Sequence, residues 1–198
     1  TVLGMDLSHG GHLTHGHPVT YIAKIFNFVR YGMKDVETGE IDYDALAATA
    51  KKEKPKIVLA GFSAYPRELD WKKIADIAHE VGAVCAVDAV HYAAHRTVDV
   101  EAFGCDFLAC STYKFYGPHA GILYGRDLDA YRVPRLQPQA ATAPQSWESG
   151  TKNFEAIAGI GATFAFMASL EQGATPRERI VAAYGAFEEK EKRQFRRL

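Results

Sequence analysis

The 198-residue sequence has few cysteines, almost no net charge and no long apolar run, and each absence excludes a class of protein. Its 23 basic and 24 acidic side chains give a net charge of -1, so no overall field would attract nucleic acid or an anionic membrane. No apolar run approaches the ~18 residues that a membrane span needs. We therefore expect an ordinary globular protein that acts on a small molecule, with no nucleic-acid and no membrane partner.

The three cysteines, Cys85, Cys105 and Cys110, are an odd number and lie in apolar surroundings. This pattern is typical of buried, reduced thiols rather than of a disulfide framework. The first residues also lack a charged segment followed by an apolar one, which a secretory leader would show. These features predict a cytoplasmic protein.

Short apolar runs alternate with helical patterns, which predicts an α/β fold with a mostly parallel sheet flanked by helices. We expect the strands at residues 2–5, 25–29, 56–60, 83–87, 106–110 and 121–124.

Polar residues mark where the helices between and after these strands begin. Asp42 and Asp70 are expected N-caps, and Thr175 followed by proline starts a third helix. The proline-containing segment 131–150 is expected to be an irregular loop. A helix from about Asn153 to Leu170 follows, and its predicted buried stripe is Phe154, Ile157, Ala158, Gly161, Phe164, Ala165 and Ala168.

The carboxyl ends of three predicted strands carry polar side chains. In an open α/β sheet, ligands bind beyond the carboxyl ends of the strands, so such residues are expected to share one crevice. They are Asp88 after the run 84–87, Ser63 shortly after the run 57–60, and Ser111 and Lys114 after the run 107–110.

A buried carboxylate and an amine in one crevice suit pyridoxal 5'-phosphate (PLP). Its action as an electron sink depends on a protonated pyridine nitrogen, which Asp88 would stabilise as an ion pair. Its aldehyde needs an amine for a Schiff base, and Lys114 would supply it. The spacing alone leaves two alternatives open, since an Asp after a strand often caps a helix and a loop Lys is usually solvated.

Residues 74–193 resemble class V aminotransferases and cysteine desulfurases, above all the cysteine-desulfurase-like subgroup. The resemblance rests on Val-Asp-Ala-Val-His-Tyr-Ala-Ala-His at 87–95, on Ser-Thr-Tyr-Lys-Phe-Tyr-Gly-Pro-His at 111–119, and on Trp-Glu-Ser-Gly-Thr-Lys-Asn at 147–153. It implies a PLP enzyme of fold type I, with the large domain of the aspartate aminotransferase-like fold.

The same resemblance implies roles for particular residues. Asp88 would pair with the pyridine nitrogen, His91 would lie near the phenolic oxygen, Ser111 would touch the phosphate, and Lys114 would form the internal aldimine. Thr151 would reach the phosphate of a neighbouring subunit, which implies a homodimer.

Residues 1–67 are instead similar to serine hydroxymethyltransferase. The similarity lies in Val-Leu-Gly-Met-Asp-Leu-Ser-His-Gly-Gly-His-Leu-Thr-His-Gly at 2–16 and Pro-Lys-Ile-Val-Leu-Ala-Gly-Phe-Ser-Ala-Tyr-Pro-Arg at 55–67. It implies that His12 stacks on the cofactor ring, as part of the catalytic set with Asp88 and Lys114, and that Ser63 contacts the phenolic oxygen.

The two resemblances predict a chimera within a single PLP-binding core, 1–198. Residues 1–70 would be hydroxymethyltransferase-like and 71–198 class V-like, with a join between 70 and 87. The phosphate-binding helix N-terminus is expected upstream of the first residue. The arginine that clamps the substrate carboxylate is expected in a small C-terminal domain that these residues do not include.

The leading expectation is a PLP-dependent enzyme of class V type that acts on an amino acid through an aldimine at Lys114. Tyr113 before the lysine, and the lack of a cysteine after Cys110, disfavour a desulfurase. Three alternatives stay open. They are a hydroxymethyltransferase that cleaves serine, a catalytically incomplete or engineered scaffold, and a metal-binding module on the histidines His9, His12, His15 and His17.

Overall fold

The computed structural model describes residues 1–131, 142–148 and 150–197, which fall into two compact units. The first unit comprises Thr1–Ala94 and Val98–Cys110, and the second comprises His95–Thr97 and the chain from Ser111 onward. Most of the expected loop 131–150 lies outside the described residues. The single PLP-binding core stays a prediction.

The strands and helices alternate along the first unit, as the apolar runs predicted. The strands are β1 (Val2–Met5), β2 (Phe28–Tyr31), β3 (Met33–Asp35), β4 (Glu40–Ile41), β5 (Ile57–Gly61), β6 (Val84–Asp88), β7 (Phe107–Ser111) and β8 (Gly121–Gly125). The helices are α1 (Ile22–Ile25), α2 (Tyr43–Glu53), α3 (Trp71–Glu80), α4 (Tyr92–His95), α5 (Val100–Phe103), α6 (Phe154–Ser169) and α7 (Pro176–Phe195). Of these elements, β8, α6 and α7 belong to the second unit.

A parallel sheet forms the centre of the first unit, with the strand order β2-β1-β5-β6-β7. Its inner strands are nearly continuous apolar runs because a parallel sheet is covered on both faces. Leu3, Val58 and Cys85 on neighbouring strands are fully buried. The strands β3 and β4 form a separate antiparallel pair. The predicted α/β fold class is confirmed.

The helix starts follow the predicted caps. The Asp42 side chain accepts a hydrogen bond from the Ala45 amide (2.8 Å), and Asp70 accepts one from the Lys73 amide (3.0 Å). Such caps satisfy backbone donors that the first turn of a helix leaves without partners. They fix where α2 and α3 begin.

The strand expected at 25–29 was misplaced. Ile25 ends the short helix α1, and the strand begins at Phe28, which pairs with Val2 of β1. The apolar side chains of Ile25 and Phe26 are exposed. The position of this strand is therefore determined by its pairing with β1 and not by local apolar character.

The predicted buried stripe of α6 was largely wrong. Phe154 is 67% exposed, and Ile157 and Phe164 are also exposed, whereas Thr163 and Met167 are buried. Between Phe154 and Ser169 only Glu155 is charged, so the sequence does not distinguish one face of the helix from another.

Candidate active site

Asp88 is the last residue of β6, and its carboxylate is the centre of the site in the first unit. Its Oδ2 lies 3.0 Å from Nε2 of His15, and its Oδ1 accepts a hydrogen bond from the Val90 amide at 3.0 Å. The Asp88 side chain is 23% exposed and that of His15 is 1% exposed. Each carboxylate oxygen has a second lone pair, so Asp88 can accept a further donor from the crevice.

His15 was not among the predicted cofactor-site residues, yet its environment defines its tautomer. Its Nδ1 faces the backbone N–H of His12 at 3.4 Å, which makes Nδ1 an acceptor. In the neutral ring the hydrogen is then on Nε2, which donates to Asp88. The sequence feature that could have identified His15 is its place as the second histidine of Gly-Gly-His-Leu-Thr-His-Gly at 10–16.

The pKa of Asp88 reflects these contacts. Burial by itself raises the pKa of this carboxyl, but the hydrogen bonds from His15 and Val90 and the nearby imidazoles outweigh burial and leave the pKa below its ordinary value. Asp88 therefore stays ionised at neutral pH. A buried anion of this kind suits a cationic ring nitrogen.

Replacing His15 by leucine is expected to raise the pKa of Asp88, because burial then acts without its main counterweight. A carboxylate with a lowered pKa stabilises the fold above its unfolded-state pKa, and this contribution is lost as the pH falls through the folded-state pKa. The variant should lose about 1–2 kcal/mol of stability at neutral pH.

Carbon-13 titration of the Asp88 carboxyl and urea denaturation would measure both effects. His17→Leu is the matched control, because His17 lies in the same loop and has no hydrogen bond to Asp88 among the described residues. An unchanged Asp88 titration in His15→Leu would contradict the assignment.

The glycine-rich loop between β1 and α1 is held tightly at the end of the sheet. The Gly10 carbonyl accepts hydrogen bonds from the amides of Ser63 (2.8 Å) and Ala64 (3.0 Å). A Cβ atom on Gly11 would overlap the Met5 carbonyl, so only glycine fits there. These contacts bring the loop and Ser63 together.

His12 begins a one-turn 3-10 helix in this loop. Its Nδ1 accepts a hydrogen bond from the Thr14 amide (3.2 Å), and its ring centre is 5.9 Å from that of His15. The side chain is exposed, so a ring face remains accessible for stacking. A cavity of about 240 Å³ adjoins it and is lined by Met5, Asp6, Leu7, His12, His15, His17, Pro18 and Arg30.

Ser63 and His91 lie near the same edge of the sheet. Ser63 is exposed and is tied to the loop through its backbone. The His91 ring contacts Phe62 edge-to-face at 5.8 Å. Four predicted residues, Asp88, His12, Ser63 and His91, thus belong to the first unit.

The second unit carries the other three predicted residues, beginning with Lys114. Lys114 ends the 3-10 turn that follows β7, and its side chain is exposed. Its Nζ lies 5.5 Å from the ring centre of Tyr113, which stacks in parallel on His119 at 4.5 Å. The buried Thr112 hydroxyl donates to the Pro118 carbonyl (2.7 Å) and fixes the base of this turn.

Ser111 and Thr151 are the two predicted phosphate contacts. Ser111 precedes the 3-10 turn without a capping hydrogen bond from its side chain. Asn153, and not Thr151, caps α6 by accepting from the Ala156 amide at 3.0 Å. In the described part of the chain, neither hydroxyl therefore caps a helix.

The N-terminal histidines His9 and His15 form hydrogen bonds with different partners. His9 Nδ1 accepts a hydrogen bond from the Met33 amide (2.8 Å), whereas His15 binds Asp88. Within residues 1–131, 142–148 and 150–197, no group of three or more His, Cys, Asp or Glu side chains is arranged around a possible metal ion.

Gly61 sits beside Asp88 in the β5–β6 register and has no room for a side chain. A Cβ atom would lie 2.5 Å from the Asp88 carbonyl oxygen and 2.8 Å from its Cβ. Gly61→Ala is therefore expected to displace Asp88 and to destabilise the fold by roughly 1–3 kcal/mol, as overpacking does.

Urea denaturation would measure this loss against Gly185→Ala. Gly185 lies in α7 with no atom near the added methyl group, so that change should stabilise the chain by up to about 1 kcal/mol. Equal losses in the two variants would show that crowding at Asp88 is not the cause.

The fold and the site together indicate a general class of protein. A parallel α/β sheet with an ionised carboxylate at the carboxyl end of a central strand is compatible with a cofactor-binding α/β enzyme. A family model described as serine hydroxymethyltransferase matches residues 1–131, about two thirds of the sequence. The chain belongs to the serine hydroxymethyltransferase family.

Members of this family depend on PLP, bind amino acid substrates and work as oligomers. Two residues of the first unit fit the cofactor, since Asp88 at the carboxyl end of β6 is ionised and His12 in the glycine-rich loop has an accessible ring. The match extends over residues 74–131, which we expected to follow the class V pattern. The comparison supports neither the class V type nor the chimera, and the hydroxymethyltransferase alternative agrees with it better.

No helix in the described part of the chain has both the length and the apolar composition needed to cross a bilayer.

Proposed function

We propose that this chain forms the PLP-binding part of an enzyme that interconverts serine and glycine. The observation that carries the proposal is the His15–Asp88 pair at the carboxyl end of β6 in a chain of this family. PLP, when bound, supplies the electron sink that stabilises negative charge at the substrate Cα. The protein supplies binding, orientation and proton transfer.

In the first unit, Asp88 would hold the proton on the ring nitrogen, and His15 keeps Asp88 ionised for that purpose. His12 would stack on the ring, and Ser63 and His91 would contact its phenolic oxygen. These roles suit the exposed His12 ring and the position of Ser63 beside the glycine-rich loop.

In the second unit, Lys114 would attach the cofactor through its amine and move the proton at the substrate Cα. Ser111 and Thr151 would donate to the phosphate. Neither hydroxyl caps a helix, and Lys114 Nζ has no ion pair among the described residues, so all three side chains are available for these roles.

The proposed assembly is a homodimer in which Thr151 serves the neighbouring subunit's phosphate. The family works as oligomers, which supports an assembly of this kind. The three free cysteines support a reducing compartment such as the cytoplasm.

The test is an assay of serine cleavage in the presence of PLP. Breaking the Cα–Cβ bond leaves its electron pair on Cα, which takes up a proton to give glycine. The hydroxyl proton leaves, and the β-carbon is released as formaldehyde. Glycine production from serine is the expected result, and chromatographic separation of the amino acids would measure it.

Transamination and cysteine desulfuration are measured on the same preparation. Keto acid formation without serine cleavage would favour the class V type, which the residues at 87–95, 111–119 and 147–153 support. Desulfuration is not expected, since burial raises the pKa of the Cys110 thiol and keeps it protonated. No turnover of any substrate would favour an incomplete or engineered scaffold.

A further inference from the structure

A second cavity lies in the second unit, and none of the residues discussed for PLP is among those that line it. It has a volume of about 380 Å³ and is bounded by the last turns of α6 and the first turns of α7. Its walls are mostly apolar, with Phe164, Ala168, Pro176 and Ile180 among the lining residues. Its two polar lining side chains are those of Ser169 and Arg179.

Arg179 is the charged group of this cavity. Its Nε is shielded from solvent and has no hydrogen-bond partner among the described residues. Arg179 also takes part in none of the ion pairs formed within residues 150–197. A guanidinium is always charged at physiological pH, so unmatched donors on an apolar wall favour binding of an anion.

The neighbouring acid does not neutralise Arg179. The Glu178 carboxylate accepts hydrogen bonds from the amides of Ala174 (2.8 Å) and Thr175 (3.2 Å), and the Glu178 amide donates to the Thr175 hydroxyl (3.2 Å). This capping box engages the carboxylate and the first amides of α7. The helix terminus is thereby satisfied, and the guanidinium is left as the group that can bind an anion.

The base of the Arg179 side chain packs against the preceding loop. A Cβ atom on Gly173 would lie 3.0 Å from Arg179 Cγ, so the loop before α7 packs directly on the stem of this side chain. The Ser169 hydroxyl donates to the Phe166 carbonyl (2.7 Å), which leaves its oxygen as an acceptor only. The cavity thus offers one cation and an apolar wall.

We propose that this cavity binds a small carboxylate with an apolar body, such as an arylacetate or a branched short-chain acid. The carboxylate would pair with the Arg179 guanidinium, which matches two carboxylate oxygens with two parallel donors. The apolar body would lie against Phe164 and Ile180. The volume is at the lower end of the range for small-molecule sites, roughly 300–1,000 Å³, and suits a body of about one ring.

The experiment uses the full chain without PLP, so its outcome is independent of the proposed function. Phenylacetate is titrated into the protein, and binding is followed by isothermal calorimetry. Phenylacetate is expected to bind at least 10-fold more tightly than the neutral analogue 2-phenylethanol and than acetate, because the site needs both the charge and the ring.

Arg179→Gln should weaken phenylacetate binding at least 10-fold and leave the weak binding of 2-phenylethanol unchanged. Arg177→Gln is the matched control, since Arg177 is on the same turn of α7 and does not line the cavity. Ala165→Leu, which fills the cavity, should abolish binding of both compounds. Circular dichroism and thermal melting establish that each variant is folded.

Equal affinity for phenylacetate and 2-phenylethanol would overturn the proposal, as would unchanged binding in a folded Arg179→Gln variant. Equal binding of acetate and phenylacetate would show a bare anion contact and would overturn it too.

Discussion

Replacing Lys114 by alanine is expected to lower turnover by roughly 10⁴-fold or more, because an enzyme that loses its covalent nucleophile retains only binding and electrostatic effects. Lys114 is exposed on the turn after β7 and carries the amine that would attach the cofactor. Borohydride reduction after incubation with PLP, followed by peptide mapping, should place the pyridoxyl group on Lys114 in the parent chain and on no residue in the variant.

Two further variants separate charge from chemistry at Lys114. Lys114→Arg keeps the positive charge but lacks a primary amine, so it should be as inactive as the alanine variant. Lys152→Ala removes a lysine of the same unit that pairs with Glu148 at 3.6 Å and should leave both label and turnover unchanged. A pyridoxyl label on another lysine of the parent chain would refute the role of Lys114.

Asp88→Asn is expected to lower turnover by about 10²–10³-fold, the usual effect of removing one preorganised electrostatic partner of a reaction. The asparagine keeps an acceptor for the His15 Nε2–H, so most of the loss would come from the missing charge. Asp88→Ala also leaves that buried donor without a partner and should cost a further 1–3 kcal/mol of stability, about the penalty for such a group. Steady-state kinetics and urea denaturation would measure the two effects separately.

The matched control for Asp88 is a second Asp–His pair, which lies at the amino ends of β6 and β7. Asp106 precedes β7, accepts from His79 Nε2 at 2.8 Å and from the Cys85 amide at 2.8 Å, and has no assigned role in the site. Asp106→Asn should cost stability without lowering turnover per folded molecule. A similar loss of turnover in both variants would mean that Asp88 acts only on the fold.

The sequence allowed the parallel sheet to be predicted because its strands are buried on both faces and therefore appear as continuous apolar runs. The same reasoning placed Asp88 and Ser111 at the ends of β6 and β7. It misplaced β2, whose position depends on pairing with β1. It also chose the wrong face of α6, because almost every residue of that helix is apolar.

The candidate site was predictable only in part, for a related reason. The position of Asp88 at a strand end could be predicted, but the contact with His15 joins residues 73 positions apart in the chain. No local pattern encodes such a contact. Likewise, the Arg179 cavity depends on how α6 and α7 pack against each other, and the individual helix sequences do not specify that packing.

The glycine-rich loop has a consequence for how this protein can change over generations. Added side chains at Gly10, Gly11 and Gly16 would all collide with the sheet or its neighbours, so these positions tolerate almost no substitution. Leu7 and Leu13 in the same loop are exposed and carry no such constraint. Random mutagenesis followed by selection for folded, active protein should therefore recover substitutions at the two leucines, while the three glycines are retained.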